Sequence, residues 1–239
     1  MQEQQTIKPG VSRRIFLKLL GVLGLLFWFA GAARAFFTEE FPVRTVEKGD
    51  FGFDPATGTI LWESGKKEPY RLVVDGLVEE PLSLSYGDLR KLPQVEQVSD
   101  FHCVEGWSVK DVHWGGFRLE EIIKRVKLKP EAKFAVFHCL GQTGHQPGGQ
   151  KYYLESFPLE KILRPEAEFL LVLDQDGKPL SLDHGAPLRV ISPYDLAYKS
   201  AKYVNRIELA GKARPGWWTL ANPIYPVVAP VPQHRLRDK

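Results

Sequence analysis

The chain has 239 residues, 44% of them hydrophobic, 26% charged and 12% aromatic. That mixture excludes wholesale disorder and supplies a sizeable core. Two cysteines are too few for a disulfide-rich scaffold or a four-thiolate metal site. The formal charge of +3 belongs to one end: residues 1–35 carry five basic groups and one acid, leaving 27 basic and 28 acidic groups elsewhere. The body therefore gives no electrostatic case for binding nucleic acid.

The first predicted element is an export leader. Ser12-Arg13-Arg14-Ile15-Phe16-Leu17-Lys18 precedes fifteen uncharged residues, 19–33, and an Ala33-Arg34-Ala35 frame. This layout is that of a twin-arginine signal peptide, so the expected partner is the twin-arginine export machinery and the expected location is periplasmic or otherwise extracytoplasmic. Fifteen helical residues reach about 22 Å, short of a hydrocarbon core of about 30 Å. Counting from Ile15, with Lys18 snorkelling, brings the segment near that length, so an uncleaved anchor is the competing reading of residues 1–35. Twin-arginine passengers travel folded and many already hold a cofactor, which raises the expectation of a bound redox group.

Residues 36–70 show little periodicity and read as irregular. A strand is expected at residues 71–78. A short helix follows, with Ser85 as its N-cap and Asp88 three residues on. Leu119, Ile122, Ile123 and Val126 have helical spacing. Residues 133–139 read as a strand, 159–163 as a helix, and 169–174, 188–192 and 203–209 as strands. Five prolines between Pro215 and Pro232 predict an extended surface tail. The expected class is α+β, mixed and β-rich with short helices, in a single domain over residues 36–239.

The cysteines sit in a repeated triplet, Phe101-His102-Cys103 and Phe137-His138-Cys139. Export allows a disulfide between them, and two His with two Cys are a zinc ligand set. Zinc is disfavoured because neighbouring strand residues face opposite ways. His138 and Cys139 end a predicted strand and are open candidates for touching a cofactor.

A longer context separates the two triplets. Cys103-Val104-Glu105-Gly106-Trp107-Ser108 precedes Trp114-Gly115-Gly116-Phe117, and His184-Gly185-Ala186-Pro187-Leu188-Arg189-Val190 is followed, thirteen residues after the Arg, by Lys202. Over residues 70–220 this resembles the sulfite oxidase family of molybdopterin enzymes, nearest its exported bacterial branch with the catalytic subunit of methionine-sulfoxide reductase. The resemblance implies a molybdenum–molybdopterin cofactor and the matching sulfite oxidase-type fold. It makes Cys103 the thiolate ligand of the metal and assigns His184, Arg189, Ser200, Ala201 and Lys202 to the pterin and its phosphate. A soft thiolate suits a metal in a sulfur environment, and Arg and Lys suit phosphate oxygens. Trp107, and more weakly Tyr225, are candidates to line the substrate mouth.

Two departures matter. Sulfite oxidases follow the cysteine with Ala-Gly-Asn-Arg-Arg; here Val104-Glu105-Gly106-Trp107-Ser108 stands at those positions, with a carboxylate and an indole and no arginine pair, which disfavours a dianion such as sulfite. The sulfoxide reductases' Asn-Asn-x-Tyr-Glu segment has no counterpart in residues 36–60. The implied activity is oxygen-atom transfer to or from a small S- or N-oxide, with electrons exchanged with a separate membrane haem protein or cytochrome. The rivals are a non-catalytic exported cofactor-binding or scaffold protein of the same fold, and a small zinc- or disulfide-stabilised protein.

Overall fold

A computed structural model describes residues 45–236, which lie in a unit running Val43–Lys239. The leader and its cleavage or anchoring fall outside the described residues. Among those described, no helix is long and apolar enough to cross a membrane.

The chain opens with a three-stranded antiparallel meander: β1 (Phe51–Asp54), β2 (Thr59–Trp62) and β3 (Lys67–Pro69). This corrects the irregular reading over residues 51–69; residues 36–44 of that reading lie outside the described residues. The strands are only three or four residues long, too short for alternation to stand out. Aromatic contacts hold them, with Phe51 edge-on to Tyr203 and Phe53 edge-on to Tyr86.

Then come β4 (Arg71–Gly76), β5 (Leu82–Ser85) and helix α1 (Tyr86–Arg90). Ser85 Oγ accepts from Asp88 N at 3.1 Å and Asp88 Oδ2 accepts from Ser85 N at 3.0 Å, a closed capping box. The hairpin β6 (Gln94–His102) and β7 (Ser108–Phe117) leads to α2 (Glu120–Val126), β8 (Phe134–Gln142), β9 (Tyr152–Pro158) and α3 (Leu159–Ile162). The last strands are β10 (Leu170–Gln175), β11 (Lys178–Pro179), β12 (Arg189–Ile191) and β13 (Val204–Ala210), with α4 (Trp217–Ala221) behind them.

Two five-stranded sheets result. One runs β5-β4-β13-β8-β9, mixed because β13 lies parallel to β4. The other runs β11-β10-β7-β6, with β12 also on β10. Both sheets contain strands that read as continuous apolar runs because both their faces are covered. In β10, Leu171 and Leu173 enter the main core while Leu170 and Val172 enter a second core with Val112 and Trp114. At Gly116 a Cβ would come within 2.1 Å of Leu171 O, so β7 approaches β10 only because that residue lacks one.

The β-rich, short-helix class agrees with the expectation, but the tail does not follow it throughout. Residues 217–221 are helical, and Trp217 is buried against Tyr153 rather than on the surface. Burial of that indole outweighs the extended bias of the flanking prolines.

Candidate active site

Cys103 stands at the tip of the β6–β7 hairpin. Its N–H donates to Trp107 O at 2.9 Å and its carbonyl accepts from Gly106 N at 3.2 Å. Gly106 takes φ +96°, a conformation that favours glycine and lets the chain reverse in so few residues. His102, buried, places Nδ1 2.7 Å from Ser108 Oγ and so braces the base of the turn. Trp107 is half-buried and its indole N–H donates to exposed Glu105 at 3.2 Å.

Arg189 is the first residue of β12, paired with Val172 of β10. Its side chain crosses onto the hairpin that carries Cys103. The guanidinium carbon lies 5.3 Å from the Phe101 ring centre and 5.2 Å from that of Trp114. Nη1 donates to His184 O at 2.7 Å, while Nε is buried without a hydrogen-bond partner. Among the described residues no carboxylate pairs with it, although only 5% of the residue is exposed. Burial pushes its pKa down to about 10. An unneutralised cation with an orphaned donor inside a protein is costly unless an anion joins it.

Lys202 comes alongside. A Cβ on Gly185 would meet Lys202 Cγ at 2.9 Å and Arg189 Cβ at 3.2 Å, so this glycine is the spacer that lets both side chains approach. Lys202 Nζ donates to Asp183 O at 3.3 Å and lies 5.2 Å from the Tyr203 ring centre. Burial, then the neighbouring Arg189 charge, push its pKa down to about 8. His184 is turned toward Ser181, with Nδ1 2.7 Å from Oγ, and burial followed by Arg189 lowers its pKa. The structure thus gathers His184, Arg189 and Lys202 round one turn. It also lays Arg189 on the ring two residues before Cys103.

Ser200 and Ala201 behave differently from the sequence expectation. Their N–H groups donate within their own turn, to Ala197 O at 2.9 Å and Lys199 O at 3.0 Å. Ser200 Oγ accepts from Ser192 N at 3.3 Å. Both shape the loop that presents Lys202.

The zinc and disulfide reading is overturned. Neither cysteine is in a disulfide, and among the described residues no group of three or more His, Cys, Asp or Glu is placed to hold a metal ion. His138 turns to Glu208, 2.9 Å away, while Cys139 is buried with its thiol pushed well above the ordinary range. Period-two alternation on β8 sends the neighbours apart. Tyr225 packs on Tyr198 and Trp218, at 5.1 and 4.8 Å between ring centres.

Six further residues were given no role from the sequence. Phe101 and Trp114 stood inside the quoted motifs, but nothing there said that they would flank Arg189. Thr45, Glu47 and Gly49, in the segment expected to have no counterpart, line a small, shallow cleft with Phe51, Leu182 and Tyr203. Arg235, near the end of the described chain, donates to Cys103 O.

Comparison with known proteins fits this geometry. Residues 60–218 match the family described as the oxidoreductase molybdopterin binding domain. The chain belongs to that family. It is an oxidoreductase of the sulfite oxidase type and its cofactor is molybdopterin. It is 33% identical over 149 residues to the uncharacterized oxidoreductase YuiH of Bacillus subtilis, covering 62% of this chain and 69% of that one. It is 32% identical over 180 residues to the protein-methionine-sulfoxide reductase catalytic subunit MsrP of Ralstonia nicotianae, covering 73% of this chain and 54% of that protein. The chain therefore spans about half the length of that relative. Among solved structures, the sulfane dehydrogenase SoxCD of Paracoccus pantotrophus has a similar fold, with a TM-score of 0.52, 23% identity, and 60% of this chain on 39% of that one.

The residues present fit the family's cofactor. Arg189 is a buried cation with an orphaned donor and Lys202 a half-buried one beside it, a pair that suits a phosphate-bearing ligand. Cys103 offers a soft sulfur at a tight, braced turn.

Proposed function

We propose that this protein is an exported oxidoreductase that reduces a sulfoxide, with the Cys103 thiolate ligating molybdenum. The observation that supports this reading most is the Arg189 guanidinium lying over Phe101, 5.3 Å from its ring centre and two residues from Cys103. When bound, molybdenum supplies two-electron oxygen-atom exchange. The chain supplies binding and selection. Cys103 holds the metal through sulfur. Arg189 and Lys202 hold the phosphate, and the His184 turn orients Arg189. Trp107 and Glu105 stand on the same turn as Cys103, presenting an indole and a carboxylate to incoming substrate. That pair favours a neutral sulfoxide over a sulfite dianion.

The sulfoxide class is supported by the Ralstonia relative's name and by Trp107 and Ser108 standing where sulfite oxidases carry an arginine pair. Electrons reach the site from a separate carrier, a membrane haem protein or cytochrome. The paired arginines of the leader support export through the twin-arginine machinery; replacing Arg13 and Arg14 with Lys should leave the protein in the cytoplasmic fraction.

The direct test is turnover. Full-length protein from molybdopterin-producing cells, mixed with a reduced dye, should reoxidise it on addition of methionine sulfoxide or a small dialkyl sulfoxide. Sulfite with an oxidised acceptor should give a far lower rate. Faster turnover of sulfite than of every sulfoxide tried would reject the proposal.

A further inference from the structure

The tail returns to the site by a route the sequence does not reveal. Tyr198 OH donates to Pro226 O at 2.6 Å, Leu196 N to Ala229 O at 2.8 Å and Val231 N to Tyr194 O at 3.0 Å. Ala229 and Val231 are buried, so the strap is seated rather than draped. It thereby lies along residues 194–198, just before Lys202. A single turn of 3-10 helix, Gln233–Arg235, then aims Arg235 at the Cys103 turn.

There, one guanidinium meets three acceptors. Nη1 donates to Cys103 O at 2.8 Å, and Nη2 donates to Trp107 O at 2.6 Å and to Ser108 Oγ at 2.9 Å. Cys103 O and Trp107 O are the same two carbonyls that accept the turn's own N–H bonds. Ser108 Oγ is the atom that faces His102. Arg235 thus holds both ends of the turn and its brace. A planar fork spans such a set with little loss of freedom.

We propose that Arg235 is a positioning residue for the metal-binding sulfur. It fixes the backbone of residues 103–108, and through the strap it ties that turn to the loop presenting Lys202. It touches neither substrate nor cofactor in this role. The inference deepens the reading of Cys103 as the molybdenum ligand and rests on it.

The test uses full-length, cofactor-loaded protein and three variants: Arg235→Ala, Arg235→Gln and Cys103→Ser. Two properties are read besides activity, namely the sulfur-to-molybdenum charge-transfer absorption and the alkylation rate of each cysteine, resolved by peptide mass spectrometry. Cys139, buried on the same chain, is the internal control for global unfolding. Arg235→Ala should shift the absorption and speed alkylation of Cys103 about tenfold, equivalent to about 1.4 kcal/mol of easier local opening. Cys139 should stay protected. Should Arg235→Ala expose Cys139 as well, the comparison passes to Arg235→Gln, where Cys103 alone must react faster. Wild-type absorption and Cys103 reactivity in a folded Arg235 variant overturn the proposal. Cys103→Ser separates the two readings. If it retains molybdenum, the ligand assignment fails, whatever Arg235 does; if it loses molybdenum while the Arg235 variants match wild type, only the positioning role fails.

Discussion

Two buried cations ten residues apart are treated in opposite ways. Lys199 is 2% exposed and its ammonium is paired with the carboxylate of Glu155, fully buried on β9, with a further bond to Ser156 O at 3.2 Å. Arg189 is 5% exposed and meets two aromatic faces and a carbonyl, but no carboxylate among the described residues. The first cation is a strut: its charge is cancelled within the fold. The second is prepared for a ligand, because the anion that would neutralise it is left to come from outside. Burial pushes Glu155 up to about 7 despite the ammonium beside it, so even the strut is under tension. Asp195, buried and bonded to Ser192 Oγ at 2.7 Å and Lys161 Nζ at 2.5 Å, is a second strut on the same loop. Together they hold stiff the segment that carries Lys202.

The contrast can be broken most forcefully at the strut. Lys199→Met leaves Glu155 buried and unpaired, and should cost about 3–5 kcal/mol in urea unfolding of the cofactor-free chain. Arg189→Met should do the opposite to that chain, leaving stability unchanged or raising it by about 1–2 kcal/mol, because an uncompensated buried charge is removed. The same substitution should weaken cofactor retention at least about tenfold, the value of one lost charge-assisted contact of about 1.4 kcal/mol or more. If Arg189→Met were as damaging to the empty fold as Lys199→Met, both cations would be structural and the distinction would vanish.

A pH titration sharpens the same point at Lys202. Its folded pKa, about 8, lies below the ordinary lysine value. Between pH 8 and roughly 10.4 the unfolded chain therefore binds more protons, and stability rises with pH across that window. Below pH 8 the cost of burying the ammonium is present in full. The slope should flatten in Lys202→Met and in cofactor-loaded protein, where phosphate keeps the ammonium charged. The mildest expected effect is a control far from either cation: Ser85→Ala opens the α1 capping box and should cost about 1 kcal/mol, leaving molybdenum content unchanged.

The sequence disclosed these regions unevenly. The Ser85–Asp88 cap and the helix over Glu120–Val126 were legible because their signals are local. So was β10, whose apolar run is bounded by the turn at Asp176-Gly177. The meander β1–β3 was hidden by its short strands. Residues 217–221 were hidden by prolines on either side of a buried tryptophan. At the site, Cys103, Arg189 and Lys202 stood in recognisable motifs, but their convergence depends on the register of β12 against β10 and β10 against β7, which is a long-range property. Ser200 and Ala201 were read as donors, whereas their N–H groups close the turn. Arg235 carried no signal at all, because nothing in a proline-rich tail says which loop its last residues will meet.

The central claim is that one thiolate and one buried guanidinium serve the same cofactor. Molybdenum analysis of full-length wild-type protein, Cys103→Ser and Arg189→Met, all made in molybdopterin-producing cells, tests it most directly. Stoichiometric metal is expected in the wild type, none in Cys103→Ser and a strongly reduced amount in Arg189→Met, with all three folded. Stoichiometric molybdenum in folded Cys103→Ser would contradict it.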